Sequence, residues 1–409
     1  MRITLRIGLA VLIVSAPSAL AAGTKAPLQI VVSRQHQSLV VYDGDTVVAT
    51  SNISTGKRGH TTPTGIFSIL EKRRHHKSNI YSNAPMPFMQ RLTWSGIALH
   101  GSNHVPDYPA SHGCVRLPGK FAAGLFKMTQ RGMHVVISDR QVTPVEIVST
   151  MLFQPNQARP PAPPMSDVPL RPAISHFDGG PVEVAMTDRR PAPALLVHDQ
   201  PPIRILVTRR GRQETMRDLQ MLLTTLGHDA GEPDGHSGPM TLAAIRSFQT
   251  AEGLPIDGIA TPQLIEAVYR KAGRDMPPNG VLRIRRAFHP LFEAEIAIDK
   301  PELALGTHFL QFQDTDAATG QGKWFGMSLD NALSKAAKDR LGITIEADPT
   351  EFNTLQRTLN RLTVPDEVRR RIAALLADGS SFSISDTDTG LETGEGTDFI
   401  TMTRSVSGR

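Results

Sequence analysis

A chain of 409 residues with one cysteine, Cys114, cannot form an intramolecular disulfide. Its stability has to come from packing. Aromatic residues supply only 5% of the sequence. Charge of one sign is scarce too: 44 basic residues face 39 acidic ones, a formal net charge of +5. No Lys/Arg stripe is interleaved with aromatics, and helix-turn-helix or RNP-like patterns are missing, which argues against a nucleic-acid partner. Long apolar runs are also missing. The N-terminal one, Ile7 to Val14, falls well short of the ~20 residues a membrane span needs.

That short run has a meaning of its own. Arg2 and Arg6 precede it, and Ser18-Ala19-Leu20-Ala21 follows with an A-x-A ending. Residues 1–22 therefore read as a secretory signal peptide, which predicts export to the periplasm or cell wall. In an oxidising compartment a lone thiol pairs between molecules or is reactive. The plainer alternative is a small buried hydrophobe.

Punctuation by Gly and Pro divides the rest. Residues 27–140 alternate short β-rich runs: 28–32, 38–42, 46–50, 64–69, 96–99 and 133–137, with Asp43-Gly44-Asp45 as a hairpin turn. This spacing predicts a mainly β domain, sandwich- or barrel-like, with one helix from Pro118 or Gly119 to Thr129. The charge run 71–77 reads as a solvated loop, and the patch Met86-Pro87-Phe88-Met89 as a groove or lid beside the site. Residues 141–205 carry eleven prolines from Pro160 to Pro202 and read as a linker. Residues 206–272 show three amphipathic helical stretches separated by Asp234-Gly235 and Gly253–Gly258 turns, an all-α unit. Residues 280–409 read as an α+β domain. Its expected strands are 292–298, 307–312 and 381–385, and its expected helices 329–341 and 364–376, the latter opened by a capping box from Thr363 to Asp366.

The chemistry concentrates in one stretch, His100 to Leu117, reading HGSNHVPDYPASHGCVRL. A thiol nucleophile needs a base, N–H groups for an oxyanion and tight turns to bring them together. Cys114 is the candidate nucleophile. His100 ends a strand and is the candidate proton acceptor and donor, while His112, two residues before Cys114, is a local organiser. Ser111 is placed to bond either ring. Gly113 leaves room for a carbonyl, and the Cys114 N–H is an oxyanion candidate. A metal site built from His100, His104, His112 and Cys114 is the rival reading. The helix that would align His100 with His104 is broken by Gly101 and Pro106.

His100-Gly101 followed by Ser111-His112-Gly113-Cys114-Val115-Arg116-Leu117 resembles the signature of YkuD-type L,D-transpeptidases. Ser54-Thr55-Gly56 and Thr62-Pro63-Thr64-Gly65-Ile66-Phe67 resemble the same family upstream. Asp234–Thr241 and the run from Phe248 to Gly258 are similar to the repeated turns of a three-helix peptidoglycan-binding module. The resemblance implies attack by Cys114 on a peptidoglycan tetrapeptide stem, loss of terminal D-Ala and a thioester. An amine then resolves the thioester: another stem, a D-amino acid or an envelope protein. It implies that the earlier histidine, His100, is the acid/base. Arg116 stands where some members carry Asn and is a candidate for a stem carboxylate. Gly101, Met86 and Phe88 are the other substrate-binding candidates. Neither metal nor organic cofactor is required. Water as acceptor, giving an L,D-carboxypeptidase, and a non-catalytic wall-binding scaffold are the alternatives. The linker would let the catalytic head search while the module holds the wall.

Overall fold

The computed structural model describes residues 27–78, 83–155, 200–316, 319–387, 393–394 and 396–403. The expected signal peptide lies outside them. The first region runs β1 (Gln29–Ser33), β2 (Ser38–Asp43), β3 (Thr46–Asn52), β4 (Thr64–Ser68), β5 (Glu71–Arg73), β6 (Met89–Arg91), β7 (Ala98–Ser102), β8 (Val115–Pro118), α1 (Gly119–Met128) and β9 (His134–Ser138). It is mainly β, as its alternating runs require. Strands β5-β6-β7-β8 form a four-stranded sheet. Between it and a larger sheet lies a core that includes Ile30, Val32, Phe67, Leu99, Val115 and Leu117.

The larger sheet has the order β18 (Thr401–Thr403), β4, β9, β1, β2, β3, and its first strand comes from the far end of the chain. Strand β18 (Thr401–Thr403) runs antiparallel to β4, pairing Thr401 with Ile66 and Thr403 with Thr64. Gly65 permits this approach. A Cβ there would sit 2.1 Å from the Thr401 carbonyl oxygen, and its φ of +149° suits glycine. The neighbouring Ile400 is fully buried in the same core as Leu99 and Val115.

The second region runs β10 (Val145–Glu146), β11 (Ile203–Arg209), α2 (Arg212–Thr225), α3 (Pro239–Ala251), α4 (Pro262–Lys271), β12 (Gly280–Arg286), β13 (His289–Ile298), β14 (Thr307–Gln313), β15 (Lys323–Leu329), α5 (Lys335–Leu341), α6 (Thr354–Leu359), β16 (Leu362–Thr363), α7 (Asp366–Ala373) and β17 (Ser381–Ser385). Its strands make one mixed sheet in the order β10-β15-β14-β17-β11-β12-β13-β16. This sheet packs on the back of the β18-containing sheet, with Val31, Tyr42, Ile66 and Val136 meeting Phe309, Met327 and Leu329. Arg204 on β11, itself buried, pins the two: it bonds the Gly132 carbonyl at 2.6 Å, the Gly379 carbonyl at 2.5 Å and Asp398 at 3.3 Å.

Several boundaries differ from expectation. Residues 141–155 are not linker. Val142 is buried between the sheets, Val145–Glu146 pair with β15, and Leu152 and Phe153 enter the second core. Ile203 and Ile205 are likewise core residues of β11. The prolines concentrated in 156–199, outside the described residues, obscured these short flanking strands. Both flanks of that run belong to the same sheet. The helical unit therefore does not hang from it: α2–α4 are inserted between β11 and its antiparallel neighbour β12, where Arg209 pairs with Gly280. The C-terminal part is not a self-contained domain, since β18 completes the first sheet. The expected helix 329–341 shortens to α5, because Leu329 ends a strand that pairs with Thr307. The capping box at Thr363 is not formed. Pro365 is the N-cap of α7, with no side-chain cap. The charge run 71–77 begins as β5, with Lys72 capping the Phe126 and Thr129 carbonyls beyond the middle of α1 at 2.7 and 2.6 Å.

Within the inserted unit one staple occurs twice. Gln220 accepts from Gly235 N–H and donates to Asp234, and Gln249 does the same with Gly258 and Asp257. Both glycines have positive φ, +80° and +74°. Leu219, Leu223, Ile245, Phe248, Leu264 and Val268 fill the space between the helices.

Candidate active site

Strands β7 and β8 are parallel and in register, Leu99 opposite Val115 and His100 opposite Arg116. Strand pleating then sorts the motif by parity. Leu99, Val115 and Leu117 go to the core. Ala98, His100, Cys114 and Arg116 share the other face and line a cleft with Met86, Met89, Arg91, Gly96, Ser111 and His112. His76, Ser78, Ala84 and Pro85 close it from the arm that precedes β6.

The turn that presents Cys114 is held almost atom by atom. Ser111 Oγ accepts from Gly113 N–H at 3.1 Å and donates to the Cys114 carbonyl at 2.5 Å. The Gly113 carbonyl accepts from Thr62 Oγ1 at 2.7 Å, which in turn accepts from Gly56 N–H at 2.8 Å. Thr55, bonded by Gln37, gives its carbonyl to the N–H groups of Ala110 and Ser111. Gly113 has φ +115°, and a Cβ there would meet Ile97 at 2.9 Å. The φ is what calls for glycine, since the Ile97 contact is with the end of a flexible side chain. The Gly113 N–H is thus used up within the turn. The Cys114 N–H is given to no backbone acceptor among the described residues.

His100 is buried, and its Nδ1 lies 2.9 Å from the Gly101 carbonyl. A carbonyl can only accept, so Nδ1 carries the proton and Nε2 keeps its lone pair. Burial pushes the imidazole below its ordinary value of 6.5, and the Arg116 charge and His76 push the same way, against the Gly101 bond. Burial also raises the Cys114 thiol above 9.0, although the Ala98 N–H and the charges of Arg91 and Arg116 pull it down. Both shifts favour a neutral thiol beside a neutral imidazole. The thiol donates to the Gly96 carbonyl at 3.4 Å.

The remaining expected residues separate into two groups. Met86 is buried in the cleft wall with Met89 and Ala98, against Cys114. Arg116 lines the cleft and, among the described residues, makes no ion pair, so a structural salt bridge is not its role there. His112 is exposed on the rim, its ring 4.7 Å from that of His60. Ser111 bonds backbone rather than either imidazole. Gly101 and Phe88 do not line the cleft. Gly101 is buried between Ala122 and Pro87 and aligns His100 through its carbonyl. Phe88 turns away, at φ +56°, to pack against Phe126 at 5.9 Å. Among the described residues no three His, Cys, Asp or Glu side chains are grouped to hold a metal ion.

Sequence reasoning gave no role to Thr62, Gln37, Gly96 or Arg91. Thr62 stood in a noticed motif, but nothing in its spacing tied it to Gly113, 51 residues on.

Residues 27–137 match the YkuD family, the L,D-transpeptidase catalytic domain, and residues 212–268 match a peptidoglycan binding domain. No curated protein matches the chain. Among solved structures, an L,D-transpeptidase from Mycobacterium smegmatis is 22% identical over 28% of this chain and 59% of its own, with a TM-score of 0.26. Those from Xylanimonas cellulosilytica and Stackebrandtia nassauensis are 27% and 25% identical over 28% and 30% of this chain and 61% and 60% of theirs, each with a TM-score of 0.26. The chain therefore spans about 60% of the length of these structures. It carries a YkuD-family L,D-transpeptidase catalytic domain in residues 27–137 and a peptidoglycan binding domain in residues 212–268.

Proposed function

We propose that the protein acts outside the cytoplasm as a peptidoglycan L,D-transpeptidase with Cys114 as nucleophile and His100 as base. The observation that carries this is the tautomer of His100: Nδ1 is committed to Gly101, which leaves Nε2 basic on the strand face that also bears Cys114. A wall-binding scaffold would have no use for that arrangement.

The resting pair is neutral, so the thiol has to be deprotonated as it attacks. Sγ leaves the Gly96 carbonyl and bonds the carbonyl carbon of the third stem residue while its proton passes to His100 Nε2. The tetrahedral oxyanion receives the Cys114 N–H. Collapse breaks the C–N bond, His100 returns the proton to the departing D-Ala nitrogen, and a thioester remains. An amine then attacks the thioester carbon. The C–N bond forms, the C–S bond breaks, and the amine's proton reaches sulfur through His100. Ser111 and Thr62 position the turn, Met86 and Met89 keep one wall dry, and Arg116 attracts a stem carboxylate. The inserted helical unit holds the polymer near the cleft.

The test is intact mass after exposure of residues 23–409 to a carbapenem and, separately, to a tetrapeptide stem. One adduct on the parent protein, none on Cys114→Ala and a slow one on His100→Ala are expected. An unmodified parent protein would sink the reading, and equal labelling of His100→Ala would move the base to His112. A cross-linked dimer among the products distinguishes an amine acceptor from water, which yields only a trimmed tripeptide.

A further inference from the structure

The cleft has first an apolar wall and second, at His112 and Arg116, a basic rim. Pro85, Met86, Met89 and Ala98 make the first. That rim is flanked by the turn 56–60, Gly-Lys-Arg-Gly-His, which does not itself line the cleft but is pressed onto the turn that presents Cys114. A Cβ on Gly56 would lie 1.9 Å from the His60 carbonyl oxygen and 2.9 Å from Gly113 Cα. Lys57 N–H donates to the Ser111 carbonyl at 3.0 Å. The exposed side chains of Lys57 and His60 therefore stand beside His112, and Arg116 completes the group from β8. The charges that act on His112 are those of Lys57, His60 and Arg116, all of one sign. Residues 53–70 contain neither Asp nor Glu. Arg91, farther along the cleft, is already paired with Glu71 at 3.0 Å, whereas Lys57 and Arg116 make no ion pair among the described residues. The like charges of Lys57 and Arg116 repel, and an entering anion relieves that repulsion.

We propose that Lys57, His60, His112 and Arg116 form a carboxylate subsite beside Cys114 that seats the α-carboxylate of the amino acid leaving or entering the acyl-enzyme. This deepens the transpeptidase reading and rests on it. In the first half-reaction the departing nitrogen belongs to an amino acid whose carboxylate is one carbon away. In the second, the entering amine forms the C–N bond as the C–S bond breaks, and its proton reaches sulfur through His100. Both nitrogens occupy the same position relative to the thioester carbonyl. A carboxylate one carbon from either nitrogen therefore meets the same rim. Water and simple amines gain nothing from it, so the subsite favours α-amino carboxylates as acceptors.

The experiment forms the acyl-enzyme from a tetrapeptide stem on residues 23–409 and resolves it with D-alanine or with D-alaninamide, read by mass. A charge-assisted contact to a carboxylate predicts a preference for D-alanine of about ten-fold or more. In the double variant Lys57→Ala, His60→Ala the preference falls towards unity. With a donor stem ending in D-alaninamide, parent and variant acylate at the same rate. Equal resolution by both amines on the parent protein, or an undiminished preference in the variant, overturns the subsite while leaving the transpeptidase reading intact. Failure of the parent to form any acyl-enzyme overturns both.

Discussion

In the proposed reaction two residues set the chemistry, and burial favours the neutral form of both. His100 is depressed below 6.5, so the imidazole stays an acceptor through neutral pH. Protonation removes the base only below 6.5. The acid limb of kcat/KM for acylation is therefore expected below that value, and a limb centred above it would contradict the assigned base. Cys114 is raised above 9.0, so direct thiolate formation should not appear at neutral pH. Iodoacetamide labelling should rise only as the pH climbs past that value. Both candidates could be named from the sequence, because a thiol with a nearby imidazole and tight glycine turns is a chemical pattern. Phe88 and Gly101 were misplaced because proximity in sequence does not say which way a side chain points. Parity along β7 and a positive φ decide that.

At the level of elements, the turn from Ser111 to Cys114 is rigid because the loop 54–62 satisfies its backbone. Thr62→Val removes the donor to Gly113 and the acceptor for Gly56, leaving two buried backbone groups unpaired. A loss of about 1–3 kcal/mol in chemical denaturation is expected, with a larger proportional drop in kcat than any rise in KM. Thr62→Ser, which keeps the hydroxyl, should recover most of both. Gly113→Ala places a side chain at an unfavourable φ of +115°, so acylation should fall steeply while the fold survives. A variant that still acylates at the parent rate would show the turn to be pliable. The helices α2–α4 were recognisable from their 3.6-residue periodicity and Asp-Gly turns. Strands β10 and β18 were not, because two or three residues carry too little pattern to register.

On the scale of the whole molecule, the two sheet regions are interlocked, because the chain crosses from the first to the second after β9 and returns with β18. Deleting residues 397–409 removes Asp398 from Arg204, Ile400 from the first core and β18 from β4. The catalytic region should then lose stability and activity together. The single change Ile400→Ala alone should cost about 2–5 kcal/mol, and an unaltered melting curve for it would mean that β18 is incidental. Two buried histidines add a pH dependence. His134, between the sheets, lies well below 6.5, and His308 is lowered to about 4, both chiefly by burial. The unfolded chain binds protons on both as pH falls through 6.5 while the native state does not. Stability should therefore decline from pH 6.5 downward, for His308 by about 1 kcal/mol per pH unit until about pH 4. His308→Gln should flatten part of that slope.

The amino-acid sequence by itself determined the candidate thiol, the candidate imidazole, the glycines around them and the periodic helices, since each is a local property of residue type and spacing. Only the tertiary structure decided that the helical unit is inserted within a sheet, that the last described strand finishes the sheet of the first region and that Thr62 holds the turn of Cys114. Those facts depend on which distant backbone edges and carbonyls find each other. Strand pairing is non-local, and no window of sequence contains both partners.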